Sequence, residues 1–274
     1  MNLTRAHKPK RMSRADRWTI AALSAAILIL AFSFAFLAPT TYQRSDIDAM
    51  SLCPVGKTTA ETSFVIDATD PIVSNQLRSV MSVMRRFRDR APVGQRLSVY
   101  LIDGNEAAGL SRPLFSKCKP KTGDGFDPLV ENPRMLRRRY VDEFEKPFEA
   151  LINRPEIYER TSSASPIIEA LYELARQNVL ATATGVKQLV VFSDLLQHSS
   201  GWDHYVPVPK TFQLYGNDVS NRLLPDFSQS EVTLYYLIRP KGQGGEYQGE
   251  THLQLWRDYF GATHNRSVSI EVLR

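Results

Sequence analysis

The stretch SFVIDATDPIVSNQL, residues 63–77, joins an apolar run to a cluster of oxygen-bearing side chains. Residues 64–66 predict a short buried strand, and Asp67 follows directly at its end. Thr69 and Asp70 come within the next three positions. A carboxylate at the end of a strand faces a cation or a reactive centre, or else it caps the helix that follows. The stretch alone does not choose between these readings.

Strands and helices alternate through the rest of the chain. Short apolar runs predict further strands, and amphipathic patterns predict helices of a dozen or more residues between these strands. This alternation predicts an α/β fold with a mainly parallel, Rossmann-like sheet covered by helices on both faces. The predicted strands are 62–67, 96–103, 187–194, 231–240 and 266–273; the predicted helices are 71–90, 137–152, 165–180 and 251–262; a long loop spans 104–135 and an irregular insertion spans 199–228.

An uncharged apolar stretch, WTIAALSAAILILAFSFAFLA, covers residues 18–38. At about 1.5 Å rise per residue it is long enough to cross a bilayer core of about 30 Å. Its apolar run is longer than that of a cleavable signal peptide, and it has no polar face for a soluble core helix. We therefore expect one transmembrane helix at the N-terminus.

The charge distribution indicates the orientation of this helix. Residues 1–17 hold six of the 34 Lys and Arg and one of the 29 Asp and Glu, so 28 of each charge remain in the rest of the chain. A basic segment beside a membrane span stays in the cytoplasm, which predicts an extracytoplasmic C-terminal part, periplasmic if the cell is Gram-negative. Because that part is neutral overall, no nucleic-acid partner is expected.

Two cysteines, Cys53 and Cys118, both follow the predicted span. Outside the cytoplasm they are candidates for a disulfide, although their number and position leave two separate thiols equally open.

Three segments of the chain resemble the von Willebrand factor A family. That family carries Asp-x-Ser-x-Ser after its first strand, a Thr before a helix that reads like Thr-Pro-Leu-x-x-Ala-Leu, and an Asp after a later apolar strand. Asp67 and Thr69 match the first two motif positions, and Asp194 matches the late Asp. Ser165 in SPIIEAL matches the Thr. The matching order and contexts cover residues 63 to about 272.

The resemblance implies a metal-ion-dependent adhesion site made from Asp67, Thr69, Ser165 and Asp194. In such a site Mg²⁺ or Mn²⁺ would be held directly by the two hydroxyls and through water by the two carboxylates, and an acidic side chain of a protein partner would complete the coordination. Two positions differ from the family pattern. Pro71 stands where the second Ser is expected, and Leu195 follows Asp194 where Gly is usual.

Two other classes of function remain open. A metal-free assembly subunit would use the same face through its side chains. A hydrolase would use Asp67 as a nucleophile or as a metal ligand. A phosphatase of the haloacid-dehalogenase type needs Asp-x-Asp, but Thr69 stands at the third position of that motif. A PIN-like nuclease would need Asp67, Glu169 and Asp194 around Mg²⁺. His198, Asp203 and His204 are read as solvent-facing loop residues rather than zinc ligands.

We therefore expect a protein-binding chain rather than an enzyme. Its predicted parts are a basic cytoplasmic tail at 1–17, a transmembrane helix at 18–38, a linker at 39–62 and a von Willebrand A-like domain at 63–274.

Overall fold

The computed structural model describes residues 13–41, 47–56, 58, 60–124, 132–177, 180, 183–205 and 223–273, with residues 34–41 described by backbone only. The chain forms two units, Met1–Asp46 and Ile47–Arg274. Most of the predicted basic tail, residues 42–46 of the predicted linker, residues 125–131 of the long loop and residues 206–222 of the predicted insertion lie outside the described residues.

The first unit contains a single described helix, α1 (Arg14–Thr41). Ser13 and Asp16 begin it with reciprocal bonds: the Asp16 backbone N–H donates to Ser13 Oγ (3.2 Å), and the Ser13 backbone N–H donates to Asp16 Oδ2 (3.1 Å). Its side chains through Ser33 are exposed, and Arg14–Ser33 has a mean hydropathy of 1.6. Among the described residues this is the one helix long and apolar enough to cross a membrane.

The second unit is built on one six-stranded sheet. In chain order the strands are β1 (Glu61–Asp67), β2 (Arg96–Ile102), β3 (Phe115–Cys118), β4 (Lys187–Ser193), β5 (Ser230–Leu237) and β6 (Ser267–Leu273). Their order across the sheet is β3-β2-β1-β4-β5-β6. All neighbouring pairs are parallel except β2 with β3. The predicted mainly parallel sheet is therefore confirmed.

Helices cover both faces of this sheet. They are α2 (Ser74–Arg90), α3 (Pro133–Arg139), α4 (Lys146–Ile152), α5 (Ile167–Arg176) and α6 (Glu250–Gly261). Side chains alternate between the faces: Phe64 and Ile66 pack in a core with residues of α2 and α4, whereas Val65 packs in a second core with residues of α5 and α6. Each core is closed by large buried aromatic side chains, among them Phe148 on the first face and Trp256 on the second.

Two local predictions need correction. The predicted loop 104–135 contains β3, whose four residues add an antiparallel edge to the sheet. The predicted helix 137–152 is continuous with α3 but changes geometry: residues 140–145 form a π-helical segment just before Pro147, which sits in the first turn of α4. Because Pro has no backbone N–H, the wider turn accommodates it without ending the helix.

Cys53 and Cys118 are paired in a disulfide with a Cα–Cα distance of 4.8 Å. Cys118 is the last residue of β3, and its backbone N–H donates to the Ser51 carbonyl (2.8 Å). The bond therefore fastens the segment before β1 to the edge strand.

Strand order reverses between β1 and β4, because the chain runs outward from β1 to β3 on one side and from β4 to β6 on the other. In open α/β sheets, ligands bind beyond the carboxyl ends of the strands at such a reversal. Asp67 ends β1 there, and Asp194 follows β4 there.

Candidate functional site at the carboxyl rim

The loops that follow four parallel strands meet at one edge of the sheet, which we call the carboxyl rim. It comprises residues 67–73 and 193–205, which begin at the last residues of β1 and β4, residues 103–110 after β2, residues 238–249 after β5, and residues 159–166 before α5. The predicted site residues all lie in these segments.

Asp67 is 3% exposed and accepts hydrogen bonds on both carboxylate oxygens. Oδ1 accepts from the Thr69 backbone N–H (3.1 Å) and from Thr69 Oγ1 (2.6 Å). Oδ2 accepts from Ser193 Oγ (2.6 Å), the last residue of β4. Asp67 therefore ties the turn after β1 to the end of the neighbouring strand.

Asp194 is 2% exposed and is paired with a cation from the chain itself. Its Oδ1 accepts from the Leu196 backbone N–H (2.9 Å), and its Oδ2 accepts from Arg239 Nε (2.6 Å). The Arg239 side chain is 9% exposed and lies two residues beyond β5. It is the principal site residue that sequence reasoning missed. A charged residue just past the carboxyl end of a central parallel strand was the signal that would have found it.

The Arg239 guanidinium makes two further contacts at the rim. Nη1 donates to the Pro71 carbonyl (2.6 Å), and Nη2 lies 3.7 Å from Asp70 Oδ2. The backbone N–H of Arg239 donates to Gln248 Oε1 (2.7 Å), which holds its segment against the following loop. The guanidinium is therefore fixed between the loops after β1 and β4.

Ser165 is joined to the same rim by its backbone. Ser165 and His198 exchange two backbone hydrogen bonds (2.7 and 2.9 Å), and the nearby Ser162 N–H donates to the Thr69 carbonyl (2.8 Å). Ser165 is 5% exposed, and its Oγ has no hydrogen-bond partner among the described residues. The structure thus places a buried hydroxyl with unused bonding capacity in the segment that bridges the loops after β1 and β4.

Burial shifts the pKa of both carboxyl groups upwards. Burial raises the pKa of Asp67, while its hydrogen bonds from Ser193 and Thr69 oppose this. Burial and then the negative charge of Asp67 raise the pKa of Asp194 to about 7, and Arg239 opposes this shift. The pair therefore carries less than two full negative charges near neutral pH.

The turn after Asp194 is anchored from the other side by α6. Leu195 adopts a left-handed backbone (φ 60°), and its carbonyl accepts from Trp256 Nε1 (2.9 Å). His252 Nε2 lies 3.0 Å from the same carbonyl and 3.0 Å from His204 Nδ1. His204 is fully buried, so its prediction as a solvent-facing loop residue is wrong. The apolar packing of α6 outweighs the polar composition of that loop.

The donor types fit a hard divalent cation, but their arrangement does not. Asp67, Thr69, Ser165 and Asp194 supply the carboxylate and hydroxyl oxygens that Mg²⁺ prefers. A guanidinium, however, occupies Asp194 and contacts the backbone of Pro71, the position where the family has its second Ser. A fixed positive charge among the ligands repels a second cation. No group of three His, Cys, Asp or Glu side chains among the described residues has metal-ligand geometry.

No protein-family model matches the chain, and no curated protein matches its sequence. Among solved structures it is similar to an aerotolerance-related membrane protein from Bacteroides fragilis with multiple mutations to serines (10% identity, TM-score 0.39, covering 77% of this chain and 92% of that one). It is also similar to the conserved hypothetical protein BatB from Bacteroides thetaiotaomicron (10%, 0.38, 78% and 91%) and to the VWA domain of SpRpn10 (8%, 0.35, 78% and 88%). At these identities and TM-scores the similarities say nothing about ligands or partners.

The topology itself agrees with the expected fold. The sheet is parallel apart from its edge strand β3, helices cover both faces, and Asp67 and Asp194 flank the point where strand order reverses. The topology of residues 61–273 is therefore consistent with a von Willebrand A-type α/β fold.

Proposed function

We propose that this chain is a membrane-anchored, extracytoplasmic recognition protein that binds another protein through its carboxyl rim. The observation that carries the proposal is the buried network Asp67–Ser193–Asp194–Arg239, which fixes the rim loops at the reversal of strand order. Neighbouring side chains in the same loop stay accessible: Asp70 is 41% exposed, and so is Val73. A rigid base with exposed side chains above it suits partner binding, because little ordering entropy remains to be lost.

A binding role is favoured over catalysis by the state of the carboxylates. Both oxygens of Asp67 accept hydrogen bonds from the chain itself, and Asp194 is held by Arg239. A nucleophile or general base needs a lone pair directed at a substrate. Glu169, the third acid of a nuclease-like cluster, lies on α5 and accepts from Gln197 Nε2 (2.8 Å). These contacts argue against the hydrolase alternatives.

The nature of the partner group remains a prediction. With Arg239 inside the site, a partner carboxylate would be bound by the N–H groups of Nη2, in competition with Asp70, which lies 3.7 Å away. Of the two binding readings, the contacts of Arg239 favour the metal-free assembly subunit over a Mg²⁺- or Mn²⁺-dependent one.

Site-directed photo-crosslinking of the full chain in its native membrane tests the rim. Val73 and Val93 are a matched pair, because both are exposed valines and they lie before and after the same helix, α2. Val73 is at the carboxyl rim, and Val93 is at the opposite edge, just before β2. A photoreactive residue at position 73 should give a discrete protein adduct, and the same residue at position 93 should not.

Disruption of the rim should remove that adduct. In a D67A background the crosslink from position 73 should disappear while the Cys53–Cys118 disulfide persists, which reports that the domain is still folded. Equal adducts from both positions, or a crosslink that survives D67A, would place the partner surface elsewhere.

A further inference from the structure

We propose that Arg239 is a built-in cation that takes the place of the divalent metal, and that its removal opens a metal-binding site at the carboxyl rim. The inference goes beyond partner recognition, since it concerns what the buried acids bind within the chain. It starts from the contacts that the guanidinium makes at positions to which the family resemblance assigns a metal site.

The first step is position. The guanidinium contacts Asp194 through Nε and the Pro71 carbonyl through Nη1, each at 2.6 Å. Asp194 is an expected metal-ligand residue, and Pro71 stands where the motif has a further hydroxyl. The cation therefore reaches two of the motif positions from which a bound ion would be held.

The second step is charge. Asp67 and Asp194 are both buried, and the negative charge of Asp67 acts on Asp194. Two buried carboxylates at close range need a compensating cation or a proton. The Arg239 side chain is 9% exposed. It supplies the compensating charge permanently, because a guanidinium does not deprotonate in proteins.

The third step is the unused hydroxyl. Ser165 Oγ is buried and has no partner among the described residues, although Thr69 and Ser193 in the same rim both bond to Asp67. A guanidinium is planar and only donates hydrogen bonds in its plane, so it does not satisfy every oxygen that a spherical ion would reach. One donor expected for a metal therefore remains without a bond.

Titration of the tag-free, full-length protein in detergent with Mn²⁺ tests this proposal, with free Mn²⁺ counted by electron paramagnetic resonance. We expect no stoichiometric site in the wild type and one site per chain in R239A. The affinity of R239A should exceed that of the wild type on the order of 100-fold, because a fixed unit charge no longer repels the divalent ion. Mg²⁺ in excess should displace the Mn²⁺.

Two variants identify the ligands, and a third is a control. R239A/D194N should lose the site, and R239A/S165A should bind at least about 10-fold more weakly than R239A, because each removes one oxygen donor. R160A is the matched control: Arg160 also pairs with a rim aspartate, Asp103 (2.6 Å), but it does not contact Asp67 or Asp194 in the described structure. R160A, like the wild type, should show no stoichiometric Mn²⁺ site.

If R239A fails to fold, R239Q takes its place in the titration. Stoichiometric Mn²⁺ binding by the wild type, lost in D194N, overturns the proposal, as does a folded R239A that binds no Mn²⁺. Because the titration uses the metal alone, its result is independent of whether a protein partner crosslinks to the rim.

Discussion

At the scale of single residues, two buried carboxyl groups lie at different distances from an arginine. Asp194 at the carboxyl rim has Arg239 within 2.6 Å, whereas Glu61 at the start of β1 has its nearest cation, Arg96, at 3.5 Å. Glu61 is fully buried and accepts one hydrogen bond from Ser98 Oγ (2.8 Å). Burial raises the pKa of each acid to about 7, and the nearby arginine opposes this shift in both cases.

The Asp194–Arg239 pair predicts a large cost for removing one partner. R239A should lower the free energy of unfolding by about 3–5 kcal/mol, because it leaves a buried carboxylate without its cation. The pair Arg160–Asp103 is more exposed, with 45% and 12% of the two side chains accessible. R160A should therefore lower the free energy of unfolding by only about 0–1 kcal/mol. Chemical denaturation of both variants measures the difference. Equal losses would mean that Arg239 does not compensate Asp194.

Glu61 predicts a specific dependence of stability on pH. Burial raises its pKa from 4.5 to about 7, against the hydrogen bond from Ser98 and the charge of Arg96. A raised pKa in the folded state contributes stability that is fully present below pH 4.5 and is lost as the pH rises through about 7. The contribution of Glu61 to the free energy of unfolding is about 3 kcal/mol in total, since one pKa unit corresponds to about 1.4 kcal/mol.

Comparison of the wild type with E61Q isolates this contribution. The difference in their unfolding free energies should change by about 3 kcal/mol between pH 4.5 and 8, in the direction that favours E61Q at high pH. E231Q, at the amino end of β5 with 42% of its side chain exposed, controls for loss of a charge at this edge. A pH-independent difference between wild type and E61Q would contradict the assignment.

At the scale of elements, the edge of the sheet depends on a covalent link. β3 has four residues and pairs only with β2 over the described sheet, so its own hydrogen bonds are few. The Cys53–Cys118 disulfide joins its last residue to the segment before β1, and Leu52 in that segment is buried against the first core. The short edge strand is therefore supported by its disulfide as well as by pairing.

The disulfide predicts a measurable loss of stability on its removal. It closes a loop with a sequence separation of 65 residues. In the chain-entropy model a loop of this size contributes about 4 kcal/mol, so C53S/C118S should unfold at correspondingly lower denaturant concentration. In the presence of reductant, the wild type should unfold at the same denaturant concentration as C53S/C118S. If C53S/C118S is as stable as the oxidised wild type, the link is not a stabilising one.

At the scale of the whole molecule, the chain combines one apolar helix with one neutral α/β domain. The six basic residues among positions 1–17 precede the uncharged stretch 18–38, and the disulfide-bonded domain follows it in the chain. Both features favour the same orientation: basic segments remain in the cytoplasm, and disulfides persist outside it.

This orientation predicts which positions a membrane-impermeant maleimide can reach. V93C, on the domain, should be labelled in intact spheroplasts, because Val93 is 51% exposed. N2C, in the basic tail, should be labelled only after the membrane is permeabilised. The native cysteines do not react while they are paired. Labelling of N2C before permeabilisation, with V93C protected, would reverse the proposed topology.

The sequence by itself determined the elements and much of their arrangement. Short apolar runs located the four central strands within a few residues, because strands covered on both faces are apolar throughout. Helical spacing located α2, α5 and α6, because it records which side of a helix is buried. The same local patterns placed Asp67 and Asp194 at the carboxyl ends of two predicted strands, and the structure shows that these strands are neighbours.

Only the tertiary structure decided which side chains meet. Arg239 reaches Asp194 across 45 positions and Pro71 across 168, and Ser193 reaches Asp67 across 126. No local pattern encodes such pairs, because they depend on which strands become neighbours and on how far a side chain extends beyond them. Burial of His204 against α6 and the antiparallel pairing of β3 have the same origin. The sequence thus predicted a rim lined with oxygen donors, and the fold placed an arginine among them.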